Sequence, residues 1–209
     1  NTTNTYDSGG NLKTSTDARG ALSTYTYDAL NRVSTIAYKL GSTTDQTLTF
    51  TYDTNTNGVG RLRTAADASH STSWTYDPQG RVIGKGQTIG TVTKSVGYAY
   101  TTGNLATLTT PSGQSVTYGY NSNHQVISVA VNGTTILNNA TYEPFGAVHG
   151  WTWGNATTSS RSYDTDGRIS QIAHIETSNY GYDDASRITT LTNATNGALS
   201  WTYGYDLLD

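Results

Sequence analysis

The sequence predicts an all-β protein made of repeated β-hairpins, and three observations predict it. Helix formers are scarce, while Thr, Tyr, Val and Ile, which suit a pleated half-buried surface, are abundant, and 22 glycines supply turns. Short runs such as STYTYD, LTFTYD, TSWTYD, VTYGYN and WTYGYD alternate with period two, so that rings two residues apart share a strand face. One phrase, Y-D-x-x-G-R followed by Val, Ile or Leu, recurs about every 22 residues along the 209-residue chain.

The marker tyrosines are Tyr6, Tyr27, Tyr52, Tyr76, Tyr100, Tyr120, Tyr142, Tyr163, Tyr182 and Tyr205. The best copies are YDALNRV (Tyr27, Asp28, Arg32), YDPQGRV (Tyr76, Asp77, Gly80, Arg81), YDTDGRI (Tyr163, Asp164, Gly167, Arg168) and YDDASRI (Tyr182, Asp183, Arg187). At Tyr6 the Arg is replaced by Asn11, and the copies at Tyr120 and Tyr142 keep little more than the frame. The copy at Tyr100 is one residue short, and that at Tyr52 carries four extra residues before Gly60, Arg61 and Leu62 resume the pattern. These gains and losses fall between Asp and Gly, where a turn can absorb them.

Each copy reads as a strand ending at the Tyr, a tight turn and the start of a return strand. The Asp carboxylate can accept backbone N–H groups of the turn, and Gly, Asn or Ser four residues after the Tyr suits a positive φ. Two residues before the Tyr stands a second aromatic in most copies: Tyr25, Phe50, Trp74, Tyr98, Tyr118, Tyr180 and Tyr203. A second turn signal falls midway, as DARG at Asp17, PSG at Pro111, NG at Asn132 and NATNG at Asn193. Residues 1–209 thus read as a single array of ten hairpins and about twenty strands, stacked side by side in a coiling sheet. Stacking is expected to bring equivalent Tyr rings into ladders. The motif arginines could bridge to an Asp of their own or the adjacent turn.

Composition excludes several function classes. A net charge of −3 with scattered basic residues gives no stripe for nucleic acid. No apolar run is long enough to span a membrane as a helix, and the first residues lack the pattern of a signal peptide. With no Cys, disulfides and thiolate metal sites are excluded.

Sharper sites compete with turn chemistry. DTNTNG resembles the first half of a calcium loop, with Asp53, Asn55 and Asn57 as weak candidate ligands, but Thr64 stands where a bidentate Glu belongs. Asp164 and Asp166 are adjacent acids of the kind glycoside hydrolysis uses, yet sister copies lack the second one. The histidines His70, His124, His149 and His174 follow no ligand spacing, and no nucleophile or phosphate motif is present. No enzymatic activity, cofactor or firm metal site is expected. Trp151 and Trp153 lie on one strand face where Ala140 and Arg161 occupy nearby aromatic slots; they read as core filling, or as a sugar-stacking surface if exposed.

Repeated in register over all ten copies, the unit resembles the YD repeat of the Rhs family, which includes Tc toxin B and C components, polymorphic toxins and teneurins. The resemblance implies a β-sheet spiralling into a hollow shell that encloses a C-terminal toxin and is secreted or displayed at the cell surface, here in a bacterium. The implied partners are the rest of the same shell and the enclosed toxin. The DPxGL-like core in which such bacterial arrays end is not matched, so neither autoproteolysis nor toxin activity is expected here. Asp209 stands where the repeat has Gly, and the chain is expected to be an internal fragment. The alternatives are a surface or secreted module that binds a glycan or another chain, and self-association through open sheet edges.

Overall fold

The computed structural model of the protein describes residues 1–206, so the expectation for Asp209 lies outside the described residues. Among the described residues there are nineteen strands and one short 3-10 turn at Gly197–Leu199. Contacts divide the chain into two compact units, Asn1–Ala99 with Leu108–Gly113, and Tyr100–Thr107 with Gln114–Asp209.

The first unit holds β1 (Thr3–Tyr6), β2 (Leu12–Thr16), β3 (Leu22–Tyr27), β4 (Val33–Leu40), β5 (Thr43–Tyr52), β6 (Leu62–Ala66), β7 (His70–Tyr76) and β8 (Val82–Ile89). Each pairs antiparallel with the next, and β8 pairs with β9 (Val92–Thr101). β9 and β10 (Asn104–Thr109) each have residues in both units. The second unit continues with β11 (Ser115–Tyr120), β12 (Val126–Val131), β13 (Thr134–Tyr142), β14 (Val148–Trp153) and β15 (Thr158–Tyr163). It ends with β16 (Ile169–Ala173), β17 (Thr177–Tyr182), β18 (Ile188–Asn193) and β19 (Trp201–Thr202). From β11 to β19 the pairing is again antiparallel and sequential.

The hairpin turn after most motif tyrosines has one construction. Asp28 N–H donates to the Arg32 carbonyl at 2.9 Å, and Asn31 N–H returns to the Asp28 carbonyl at 3.0 Å. The register slips by one residue at the Tyr, since Thr26 faces Thr35 but Tyr27 faces Val33. This is a type I turn closed by a left-handed residue in a bulge, and the fourth residue after the Tyr takes the positive φ: 58° at Asn31, 79° at Gly80 and Gly167, 63° at Ser186. The shortened copy at Tyr100 instead turns on Thr102 and Gly103, with φ of 50° and 88°, as in a two-residue hairpin loop.

The two sheet faces differ in chemistry. Along one row Thr35, Thr49, Ala66, Ser71, Thr88 and Thr93 face each other in succession. Hydroxyls bond across this face, as between Thr26 and Thr35 at 2.6 Å and Thr88 and Thr93 at 2.8 Å. The opposite face carries the rings and aliphatics, with Tyr25 facing Ile36 and Ile36 facing Leu48. Neither face forms a sealed core: among the described residues no side chain is fully buried, and Ala140, 8% exposed, is the one buried apolar residue. Stability must therefore come from many small cross-strand terms, of about 0.2–1 kcal/mol each, and from whatever fixes the turns.

Candidate functional site

The motif residues build a brace at the turns that keep both Asp and Arg. Asp28 Oδ1 accepts the N–H groups of Leu30 and Arg32, at 2.8 and 3.0 Å, while its Oδ2 accepts Arg32 Nε at 2.7 Å. Asp164 repeats this with Asp166 N, Arg168 N and Arg168 Nε, and Asp183 with Ala185 N, Arg187 N and Arg187 Nε. Asp77, itself buried, holds Arg81 N at 2.9 Å and Arg81 Nε at 2.7 Å. A carboxylate is the right group because it offers two acceptor oxygens to donors on one side of a turn.

The charges follow from these bonds. The Arg32 and Arg187 backbone N–H groups lead in holding Asp28 and Asp183 below the ordinary carboxylate range. At Asp77 and Asp164 burial pushes the other way, but the bonds from Arg81 and Arg168 outweigh it, and both are also lowered. These acids are fixed as anions and suit bracing rather than proton transfer. Asp166 is drawn into the same brace, 3.0 Å from Arg168 and two-thirds exposed, so the paired acids of YDTDGRI share one cation.

Links between repeats run through the Tyr hydroxyl. Tyr27 donates to the Leu12 carbonyl at 2.8 Å, Tyr76 to Leu62 at 2.6 Å, Tyr163 to Val148 at 2.7 Å and Tyr182 to Ile169 at 2.8 Å. Tyr52, Tyr120, Tyr142 and Tyr205 do the same to Val33, Leu105, Val126 and Ile188. In seven of these eight bonds the acceptor opens the return strand of the preceding hairpin, and in the eighth Leu105 is the second residue of β10. Eight hairpins are thereby each stapled to the one before.

The motif Arg reaches forward. The guanidinium of Arg32 lies 4.3 Å from the centre of the Tyr52 ring, that of Arg168 4.7 Å from Tyr182, and that of Arg187 4.5 Å from Tyr205. Arg32 also bonds the Asp53 carboxylate, and Arg168 bonds Ser186 Oγ at 3.0 Å. This corrects the expected ring-on-ring ladder. Equivalent tyrosines are two strands apart, about 9–10 Å, too far for ring contact, and the planar guanidinium fills the gap.

The enlarged turn at Asp53 spends its polar groups on the same bracing. Asp53 takes Arg32, whose side chain leads in lowering its pKa, and accepts Gly60 N–H at 2.6 Å. The Asn55 and Asn57 amides donate to the carbonyls of Trp74 and Tyr76. Among the described residues no cluster of three or more His, Cys, Asp or Glu is placed to hold a metal.

Gly80 and Gly167 make a matched test of the forward reach. Both have φ of 79°, so alanine costs about 1–2 kcal/mol of left-handed strain at either. A Cβ at Gly167 meets open space, whereas at Gly80 it would fall 1.8 Å from Arg61 Nη2 and displace a guanidinium lying 5.7 Å from the Tyr76 ring centre. Gly80→Ala is expected to cost about 1 kcal/mol more than Gly167→Ala in urea unfolding. Equal losses would mean that Arg61 contributes nothing to the link.

Trp151 and Trp153 share a face of β14 and pack edge to face, with ring centres 5.6 Å apart at 82°. Trp153 Nε1 donates to Ser159 Oγ at 2.9 Å, and Ser159 Oγ lies 2.7 Å from His174 Nδ1. Both indoles are half-buried and line an open cavity of about 450 Å³ with Val129, Leu137, Ala140 and Arg161.

A hairpin braced by its own Asp and Arg, stapled backward by a Tyr hydroxyl and reaching forward by a guanidinium, defines the class as an all-β YD-repeat protein. The chain belongs to the teneurin YD-shell family, whose model matches residues 95–207, more than half of it, and an RHS repeat model matches residues 6–43. Among solved structures, the Photorhabdus luminescens Tc holotoxin pore with a substituted TccC3 is 16% identical over 92% of this chain, with a TM-score of 0.78. A TcdB2–TccC3–Cdc42 structure matches at 16% identity and a TM-score of 0.77, and TcdB2–TccC3 without its hypervariable C-terminal region at 16% and 0.78, each over 92% of this chain. The chain spans 11% of each of those chains, and at such identity the likeness is one of fold. No curated protein matches by sequence.

Proposed function

We propose that this chain is a wall segment of a hollow YD-repeat shell that encloses and delivers a toxin polypeptide encoded outside it. The observation that carries the reading is the stapling of successive hairpins by eight motif tyrosines in a sheet with no sealed core. A globular domain gains its stability by closing around a core; a wall has two exposed faces and must be fastened hairpin by hairpin. The likeness to Tc toxin TcdB2–TccC3 structures supports the same role. The partners would be the neighbouring hairpins of the shell and its cargo, with containment rather than catalysis as the mechanism, in a protein secreted or displayed at the cell surface. Among the described residues no helix is long and apolar enough to cross a membrane. Electron microscopy of the full-length protein tests the reading: a sheet-walled particle with a lumen is expected, and a compact solid particle would overturn it.

A further inference from the structure

The cavity beneath the tryptophans arises from two departures from the repeat. Where seven sister copies place an aromatic two residues before the motif Tyr, the copy at Tyr142 has Ala140 and the copy at Tyr163 has Arg161. The first opens a space and the second lines it with a cation. Val129 faces Leu137 and Leu137 faces Trp153, which supplies an apolar floor continuous across three strands.

Two hydrogen-bond donors in the lining have nothing to bond. Arg161 Nε and Trp151 Nε1 are both buried and without a partner among the described residues, against the general rule that buried polar groups are satisfied. Motif arginines such as Arg32, Arg81, Arg168 and Arg187 each pair with an aspartate, whereas the Arg161 guanidinium lies over the Trp151 ring, 5.2 Å from its centre, with no carboxylate opposite. The site therefore offers a positive charge set among apolar walls, and asks for an anionic group on an apolar body.

We infer that this cavity docks an extended polypeptide segment in which an Asp or Glu lies beside a large apolar side chain, the carboxylate meeting the Arg161 guanidinium and the apolar group meeting Leu137 and Trp153. A sugar fits less well. Each of its hydroxyls needs an acceptor as well as a donor, and the edge-to-face indoles present no flat platform for a ring. This docking does not depend on what a shell would carry.

The test titrates the full-length protein, with Trp151 indole N–H followed by NMR, against the peptide acetyl-Phe-Glu-Phe-amide and its Gln counterpart. The Glu peptide is expected to shift the Trp151 signal and to bind about tenfold more tightly than the Gln peptide, the increment of a charge-assisted hydrogen bond. Arg161→Met should erase that difference in a protein that still folds, since the guanidinium has no protein acceptor to lose and gives up only its contact with the Trp151 ring. Ala140→Phe, which restores the aromatic of the sister copies, should block both peptides. Equal binding of the two peptides overturns the proposal, as does Glu-peptide binding unchanged in Ala140→Phe. So does failure of Arg161→Met to fold, which would make Arg161 structural. Preference for glucuronate or inorganic phosphate over the Glu peptide would assign the site to a glycan or a phosphate ester instead.

Discussion

Gly154→Ala is expected to be the most damaging small substitution in the chain. The glycine follows β14, and its N–H donates to the Ile136 carbonyl at 2.8 Å, which brings it hard against β13. A Cβ there would sit 2.1 Å from the Thr135 carbonyl oxygen and 3.1 Å from its carbon. A main-chain carbonyl has no rotamer to move away. The ends of β13 and β14 must part, which gives up the Ile136 bond and disturbs the Leu137–Trp153 pairing. Overpacking together with a lost backbone bond amounts to about 3–4 kcal/mol. Gly204→Ala is the control, since a Cβ there meets nothing within 4 Å, and it should change stability by less than about 0.5 kcal/mol. Urea unfolding of the two variants beside the parent measures the difference. If they unfold alike, the close approach at Gly154 has been misjudged.

What could be seen in the sequence was what is local. Asp28 and Asn31 belong to one turn, and the chemistry that selects them acts over four residues, so letters alone give the strand end, the turn and the left-handed position. The sequence reading missed the Tyr staple because its acceptor is a backbone carbonyl, which every residue has and no letter marks. A signal was nonetheless present. The marker is Tyr in all ten copies, while two residues upstream Phe50 and Trp74 are accepted beside tyrosines, so the marker position selects for a hydroxyl and not merely a ring. The Arg–Tyr stacking called for a length instead of a pattern, namely the two-strand distance that separates equivalent rings. The site at Trp151 was half visible: Ala140 and Arg161 stood out as departures from the repeat. That they open a cavity with an unpaired cation depends on the register of β13 against β14, where pairing slips between Asn138 and Thr141 and again at Tyr142.

Removing one staple should loosen one joint rather than the whole array. Tyr182→Phe deletes the hydroxyl that bonds the Ile169 carbonyl and is expected to cost about 1 kcal/mol. Tyr182→Ala also removes the ring beneath the Arg168 guanidinium and opens a gap between hairpins, for a total of about 3 kcal/mol. Tyr180→Phe separates the two roles of tyrosine. Its ring lies opposite Leu191, and its hydroxyl has no hydrogen bond among the described residues, so this change should be close to neutral. Because the links run between sequential neighbours, the effect should also be confined. Amide exchange is expected to accelerate across β15 to β18 in Tyr182→Ala and to stay near the parent's in β11 and β12. Uniform acceleration through all of these strands would show that the unit opens as a single cooperative body, and that the tyrosines are ordinary packing residues rather than joints.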